Sequence, residues 1–237
     1  MKKTTEKEGG TVGLAELLEI RPGVTAVIGG GGKTALLRTL GEELAGRGEK
    51  VVLCTTTKIY PFPRMKNLVS PTEAALWAAL EDHRLVCAGA WVPGGEKLTA
   101  PELSMAQLAV LADYVLVEAD GSAQRPVKAH APHEPVIPQQ ANQTIMIVGA
   151  SGFGRPIVEA AHRPARYAVL ADLPEMASVT PEAEAAVLRA ESLHDRVYIN
   201  QAETAEALRY AAALAGMLDC PAAAGSLRRG EYIQCLQ

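Results

Sequence analysis

The feature that most constrains this chain is Val27-Ile28-Gly29-Gly30-Gly31-Gly32-Lys33-Thr34. An apolar run, Val24 to Ile28, leads into it, and Ala35-Leu36-Leu37-Arg38-Thr39-Leu40 follows. The order is strand, glycine loop, Lys-Thr, helix. Only glycine turns this sharply, and a glycine loop is expected to point consecutive N–H groups into one concavity. The helix start adds its own unbonded N–H groups and the positive end of its dipole. Lys33 contributes a mobile positive charge and Thr34 a hydroxyl suited to magnesium. Gly29, Gly30, Gly31, Gly32, Lys33, Thr34 and Ala35 are therefore expected to hold the phosphates of a nucleoside triphosphate, ATP or GTP, with Mg2+. The usual spacing is G-x-x-x-x-G-K-[ST], and counting back from Gly32 puts Val27 where its first glycine belongs. A dinucleotide fingerprint fits less well. G-x-G-x-x-G started at Gly29 lands on Thr34, and started at Gly30 lands on Ala35.

Composition narrows the setting. The chain has 237 residues, 48% of them hydrophobic, enough for one sizeable core. Aromatic residues are only 4%, so Ala, Leu and Val must fill it. A net charge of −4 with no basic block gives no electrostatic footprint for nucleic acid. No uncharged apolar stretch is long enough for a membrane span. Residues 1–12 are expected to be a disordered, polar lead-in without the apolar stretch of a signal peptide, and residues 13–237 a single domain in the cytoplasm. Cys54, Cys87, Cys220 and Cys235 form no C-x-x-C pair and read as reduced thiols. His130 and His133 are read as a substrate contact, a solvated loop or a metal pair.

Short apolar runs alternate with helical patterns. Strands are expected at Val24–Ile28, Val51–Thr55, Arg84–Ala88, Tyr114–Val117, Thr144–Val148, Val197–Ile199 and Ala222–Leu227. Helices are expected at Lys33–Arg47, Pro71–Asp82, Pro101–Ala112, Pro181–Ala190 and Thr204–Leu218. That alternation predicts a three-layer α/β/α fold with a mostly parallel sheet, like a phosphate-loop NTPase, and binding residues at the carboxyl ends of strands. Asp120 to Asn142 is the longest irregular stretch, of a length usually functional or disordered.

Polar residues gather where these strands end. Thr55-Thr56-Thr57-Lys58 follows the second strand and offers phosphate or substrate contacts. Tyr114-Val115-Leu116-Val117-Glu118-Ala119-Asp120 is an apolar run closing on acids, as in the metal-holding strand of phosphate-loop NTPases. Glu118 and Asp120 are two apart, so an extended chain puts them on one side, where a cation would relieve their repulsion. The alternative is a surface turn at Asp120-Gly121. Arg125 and Lys128 follow directly, on a segment expected to be flexible, poor in core residues and able to close over the phosphates. Asn200-Gln201-Ala202-Glu203 resembles the base-reading N-K-x-D of GTPases, with Asn200 and Glu203 on the nucleotide. It reads equally as a strand end with a helix cap.

Taken together, Gly29–Thr34, Thr55-Thr56-Thr57-Lys58, Glu118-Ala119-Asp120-Gly121-Ser122, Arg125-Pro126-Val127-Lys128, His133-Glu134-Pro135-Val136-Ile137-Pro138, His162-Arg163-Pro164, Thr180-Pro181-Glu182 and Asn200-Gln201 resemble the YqeC family. Members of that family are regarded as accessory proteins of selenium-dependent molybdenum hydroxylases. The resemblance runs from about Leu14 to Ser226 and is most specific between Glu118 and Pro138. It implies a phosphate-loop fold and a role in maturing a selenium-containing cofactor, with a selenium or molybdenum-cofactor species as substrate and a hydroxylase as partner. The wider class includes metallochaperone GTPases and dethiobiotin-synthetase-like ligases, many with an extra loop lysine; Ile28 stands in its place.

Two functions fit. One is an NTP hydrolase or phosphotransferase, in which Lys33, Thr34, Glu118 and Asp120 hold nucleotide and metal while Lys58, Arg125 and Lys128 hold an anionic second substrate. The other is a nucleotide-gated carrier or docking protein with little turnover.

Overall fold

The computed structural model describes residues 12–235. Apart from Val12, the expected lead-in lies outside the described residues. In chain order the strands are β1 (Gly23–Gly29), β2 (Val51–Thr55), β3 (Lys66–Val69), β4 (Leu85–Trp91), β5 (Leu98–Thr99), β6 (Tyr114–Glu118), β7 (Val127–Lys128), β8 (Ala141–Gly149), β9 (Ala161–His162), β10 (Arg196–Asn200), β11 (Ala222–Ser226) and β12 (Glu231–Cys235). The helices are α1 (Leu14–Leu17), α2 (Lys33–Gly46), α3 (Glu73–His83), α4 (Met105–Leu111), α5 (Ile157–Ala160), α6 (Pro164–Ala171), α7 (Pro181–Glu191) and α8 (Ala205–Ala215).

The main sheet runs β12-β11-β10-β8-β1-β6-β2-β4-β3. It is parallel except where β12 runs against β11 and where β5 runs against β4. β1 lies between β6 and β8, with Val27 opposite Glu118 and Ile145. The glycine loop and the acid-bearing strand end therefore leave the sheet side by side.

Alternation along the strands sorts the core into layers. Val27, Leu53, Leu116, Ile145 and Ile147 face α1 and α2, where Leu36, Leu37, Leu40 and Leu44 form one stripe. Ile28, Met146, Val148, Val197 and Ile199 face the opposite way, toward α5 to α8. On that same side Val24, Val52, Val115 and Val117 pack on α3 and α4. Burying each leucine of the α2 stripe contributes about 1.5–3 kcal/mol, which makes the helix bearing Lys33 and Thr34 rigid on the sheet. Leu40→Ala would open a cavity costing about 2–5 kcal/mol.

The layers and strand runs match the expected three-layer architecture, with shifts at the ends. The helix expected over Pro101–Ala112 starts at Met105, because Ser104 and Gln107 form a reciprocal capping box. The helix expected at Pro71 starts at Glu73, where the Thr72 side chain accepts from Ala75 N at 3.2 Å. α1, α5, α6, β3, β5 and β12 were not foreseen. Nor were β7 and β9, two-residue strands that pair with each other in parallel.

Candidate active site

The glycine loop is shaped as much by its neighbours as by any ligand. A Cβ on Gly31 would come within 2.4 Å of Gly149 N, and one on Gly30 within 2.6 Å of the Arg125 carbonyl. The loop is wedged between the end of β8 and the main chain of residues 125–126. Three of its N–H groups are already used. Gly29 N donates to Asp120 Oδ2 at 2.9 Å, Gly30 N to Ile147 O at 3.0 Å and Gly31 N to Arg125 O at 3.1 Å. The expected row of free glycine amides is thus corrected. The open donors begin at Gly32, which caps α2 through no side chain and leaves the first helical turn facing a cavity.

Glu118 and Asp120 both come within reach of Lys33, but different partners hold them. β6 ends at Glu118, and Ala119 N still donates to Val27 O at 3.0 Å, so the extended run carries on past it. Glu118 turns to the cavity, where its Oε2 accepts from the Thr34 hydroxyl at 2.8 Å. Burial raises its pKa, opposed by Lys33 and the Thr34 hydrogen bond. Asp120 turns beneath the loop and is fully buried. Its Oδ1 is 3.0 Å from Lys33 Nζ, which also donates to Gly29 O at 2.6 Å. Its Oδ2 lies 3.0 Å from Lys128 Nζ and 2.7 Å from His130 Nε2. Burial alone would raise the Asp120 pKa; the His130 hydrogen bond and the two lysines outweigh it and hold the carboxyl ionised far below its usual range.

The ionic layer continues away from the loop. His130 Nδ1 meets Glu191 Oε2 at 2.7 Å, at the end of α7. Although burial favours neutral imidazole, hydrogen bonds to Asp120 and Glu191 raise the His130 pKa. Lys128 also pairs with Glu134 at 2.9 Å, and Glu134 with Arg163 at 2.9 Å. The segment expected to be a flexible cover is therefore structural. Val127 and Ala129 belong to the core, and Lys128 and His130 are only 2% exposed. Lys128 lies under the loop rather than over it. The Arg125 guanidinium turns out to the Glu159 carbonyl, away from the loop, while its own carbonyl supports Gly31.

Two cavities flank the loop. One, of about 760 Å³, is lined by Gly31, Gly32, Phe153, Tyr210, Glu203 and Arg228. The Phe153 and Tyr210 rings lie 5.4 Å apart on its wall. Glu203 accepts from Ser226 Oγ at 2.8 Å and pairs with Arg228 at 2.7 Å. Asn200 Nδ2 donates to Gly31 O at 2.8 Å and its Oδ1 accepts from Leu227 N at 3.1 Å, which ties the loop to the chain after β11. The α8 cap is Thr204, not Asn200.

The other cavity, of about 520 Å³, brings Lys33, Thr34 and Glu118 together with Lys58, Tyr60 and Lys97. Lys97 and Tyr60 escaped the sequence reading. Lys97 stands on the β4–β5 hairpin, and only the pairing of Ile59 with Leu98 brings it near the loop. Thr34 and Glu118 are hard oxygen donors at the cavity edge, the set that suits magnesium with phosphate and water as further ligands. Asp120, expected beside them, is held by the cations beneath the loop. Among the described residues no three His, Cys, Asp or Glu side chains gather into a metal cage. No helix among them is long and apolar enough to cross a membrane.

A family model described as YqeC protein matches residues 25–165. A relative from Escherichia coli (strain K12), described as an uncharacterized protein YqeC, is 31% identical over 169 residues, 69% of this chain; the alignment spans 64% of that relative's own length. Among solved structures, the hydrogenase maturation factor HypB from Archaeoglobus fulgidus aligns with TM-score 0.43 and 15% identity over 89% of this chain and 84% of its own. FtsY from Mycoplasma mycoides aligns with TM-score 0.42 and 13% identity over 91% and 65%.

Proposed function

The chain belongs to the YqeC family, and from that premise we propose that it binds a magnesium nucleoside triphosphate where the glycine loop passes into α2, at Gly32 to Ala35, and spends it in maturing the selenium-containing cofactor of a molybdenum hydroxylase. The observation that carries the reading is the convergence of the uncapped α2 turn, Lys33 and the Thr34–Glu118 pair on the lining of one cavity.

In this mechanism the phosphates take the N–H groups from Gly32 to Ala35. Lys33 leaves Gly29 O and Asp120 and moves to the terminal phosphates. Asp120 stays ionised, because Lys128 and His130 still neutralise it. Thr34 and Glu118 hold the magnesium, which when bound offsets the negative charge of the terminal phosphates. The 760 Å³ cavity takes ribose and base, with Phe153 and Tyr210 as an apolar wall and the Glu203 carboxylate as an acceptor for base N–H groups. Asn200 keeps the loop in register with that cavity.

A second reading, a nucleotide-gated carrier, draws on one observation. Lys33 is linked through Asp120 and His130 to Glu191 on α7, so its departure toward phosphate would be felt in that helix.

The test is equilibrium binding of ATP and GTP with and without magnesium, followed by product analysis with selenium and molybdenum-cofactor species present. Saturable magnesium-dependent binding with a phosphorylated product supports the enzyme. Hydrolysis that appears only with a partner hydroxylase supports the carrier. Absence of binding to either nucleotide overturns both.

A further inference from the structure

The 520 Å³ cavity has a wall that nucleotide binding does not need. Ile59 and Leu98 exchange both backbone hydrogen bonds, at 2.9 and 2.8 Å, and both side chains are buried. Alternation then turns their neighbours the other way. The antiparallel bridge sets Tyr60 across from Lys97, whose ammonium sits 4.5 Å from the Tyr60 ring centroid. Thr99 Oγ1 donates to Thr57 O at 2.9 Å and closes the same joint one step further along. Lys58 and Lys97 are thereby fixed at the backbone on one wall, and Ser122 and Gln124 line the same cavity. Among the described residues neither lysine lies within ion-pair distance of a carboxylate. Lys97 lines the same cavity as Thr34 and Glu118, beside the place where the terminal phosphate would end.

We propose that Lys58, Lys97 and Tyr60 form the binding site of a second, small oxyanion substrate, separate from the nucleotide and facing its terminal phosphate across the cavity. Two cations without carboxylate partners, one of them over an aromatic face, with a phenol and neutral donors nearby, match a phosphate-like or carboxylate group. The inference rests on the nucleotide reading above. It moves the second-substrate site from Arg125 and Lys128, which are committed elsewhere, to the β4–β5 hairpin and the end of β2.

The test uses the full chain saturated with magnesium and a non-hydrolysable triphosphate, so that the terminal-phosphate position is filled. Inorganic phosphate is then titrated calorimetrically. Wild type should bind one further phosphate saturably. Lys97→Ala and Lys58→Ala should each weaken that binding about tenfold or more, and leave nucleotide affinity within about twofold. Lys66→Ala, which removes the same charge elsewhere on the surface, should do neither. No second phosphate site on a nucleotide-saturated protein overturns the proposal and leaves the nucleotide reading standing. So does a Lys97→Ala effect confined to triphosphate over diphosphate affinity, because the lysine would then read the nucleotide itself. An equal effect of Lys66→Ala also overturns it, as bulk electrostatics. Failure to bind nucleotide at all would instead sink the reading on which it rests.

Discussion

Lys128 beneath the glycine loop and Lys58 at its mouth are the same side chain in opposite settings. Lys128 is buried and held by Asp120, Glu134 and the Gly121 carbonyl. Lys58 is exposed on the wall of an open cavity. Glu118 and Asp120 divide the same way, one facing the cavity and one locked under the loop. A buried charge must be matched or the fold loses several kcal/mol. An exposed one is free to take a ligand. The lower layer therefore stabilises the loop, and the upper layer meets whatever the loop binds.

The hardest blow to this contrast would come from Asp120. Asp120→Asn takes from Lys33 its carboxylate partner, and from Lys128 and His130 one of their two, in a buried site. It should cost about 3–5 kcal/mol of unfolding free energy, whereas Lys58→Ala should change it by less than about 0.5 kcal/mol. Urea unfolding followed by circular dichroism measures both. Equal stability of the two variants would erase the distinction between the layers.

Lys33 is the side chain that crosses between layers, parked on Asp120 but lining the cavity. Lys33→Ala should weaken magnesium-nucleotide binding by about 1.5–3 kcal/mol, roughly tenfold to 150-fold, in protein shown to be folded. Unchanged affinity would make Lys33 a purely structural partner of Asp120.

Titration separates the layers in a third way. Glu134 is lowered to about 2, burial opposing and the Arg163 and Lys128 hydrogen bonds prevailing. Glu134 and Asp120 hold protons less tightly when folded, so their contribution is full above the unfolded carboxylate range and is lost as pH falls from there through the folded values, about 2 for Glu134. His130 is raised, so its contribution is full in acid and fades as pH rises past 6.5. Glu184, fully enclosed and accepting from Tyr167 at 2.7 Å, runs opposite to Glu134: burial pushes it up to about 7. The folded chain keeps that proton longer than the unfolded chain, so stability declines as pH rises from 4.5 to about 7. Glu184→Gln keeps an acceptor for Tyr167 without the charge. It should stabilise the protein by about 1–3 kcal/mol at pH 8 and by little at pH 4. Thermal unfolding at the two pH values reads this directly, and an equal effect at both would refute it.

What could be read from the sequence was local. Glycines before Lys33-Thr34 announce a strand, a loop and a helix start because all three lie within a few residues. β2, β6 and β10 are continuous apolar runs, and Glu118 closes one of them. The lower layer was illegible because its members come from distant places. Asp120 meets His130 ten residues away, and His130 meets Glu191 across sixty-one. Lys97 reaches Glu118's cavity only through an Ile59–Leu98 bridge that no periodicity encodes. The segment from Arg125 to Ala131 looks like a loop in sequence because its buried apolar residues are small and alternate with polar ones. Ala129 and Val127 fill core space without an apolar run.

Arg125 carries the smallest expected effect and the sharpest test of that segment. Its side chain donates to the Glu159 carbonyl at the surface, and its contribution to the loop is the carbonyl that accepts from Gly31 N. Replacing the side chain leaves that carbonyl in place. Arg125→Ala should therefore cost less than about 1 kcal/mol and leave nucleotide affinity within about twofold. Lys128→Ala, three residues on, should destabilise the fold severely, because Asp120 and Glu134 lose the cation between them. A cover that closes on phosphates would give the reverse pattern, with both variants stable and both impaired in turnover. Unfolding and nucleotide titration of the two variants side by side decide between a buried brace and a moving lid.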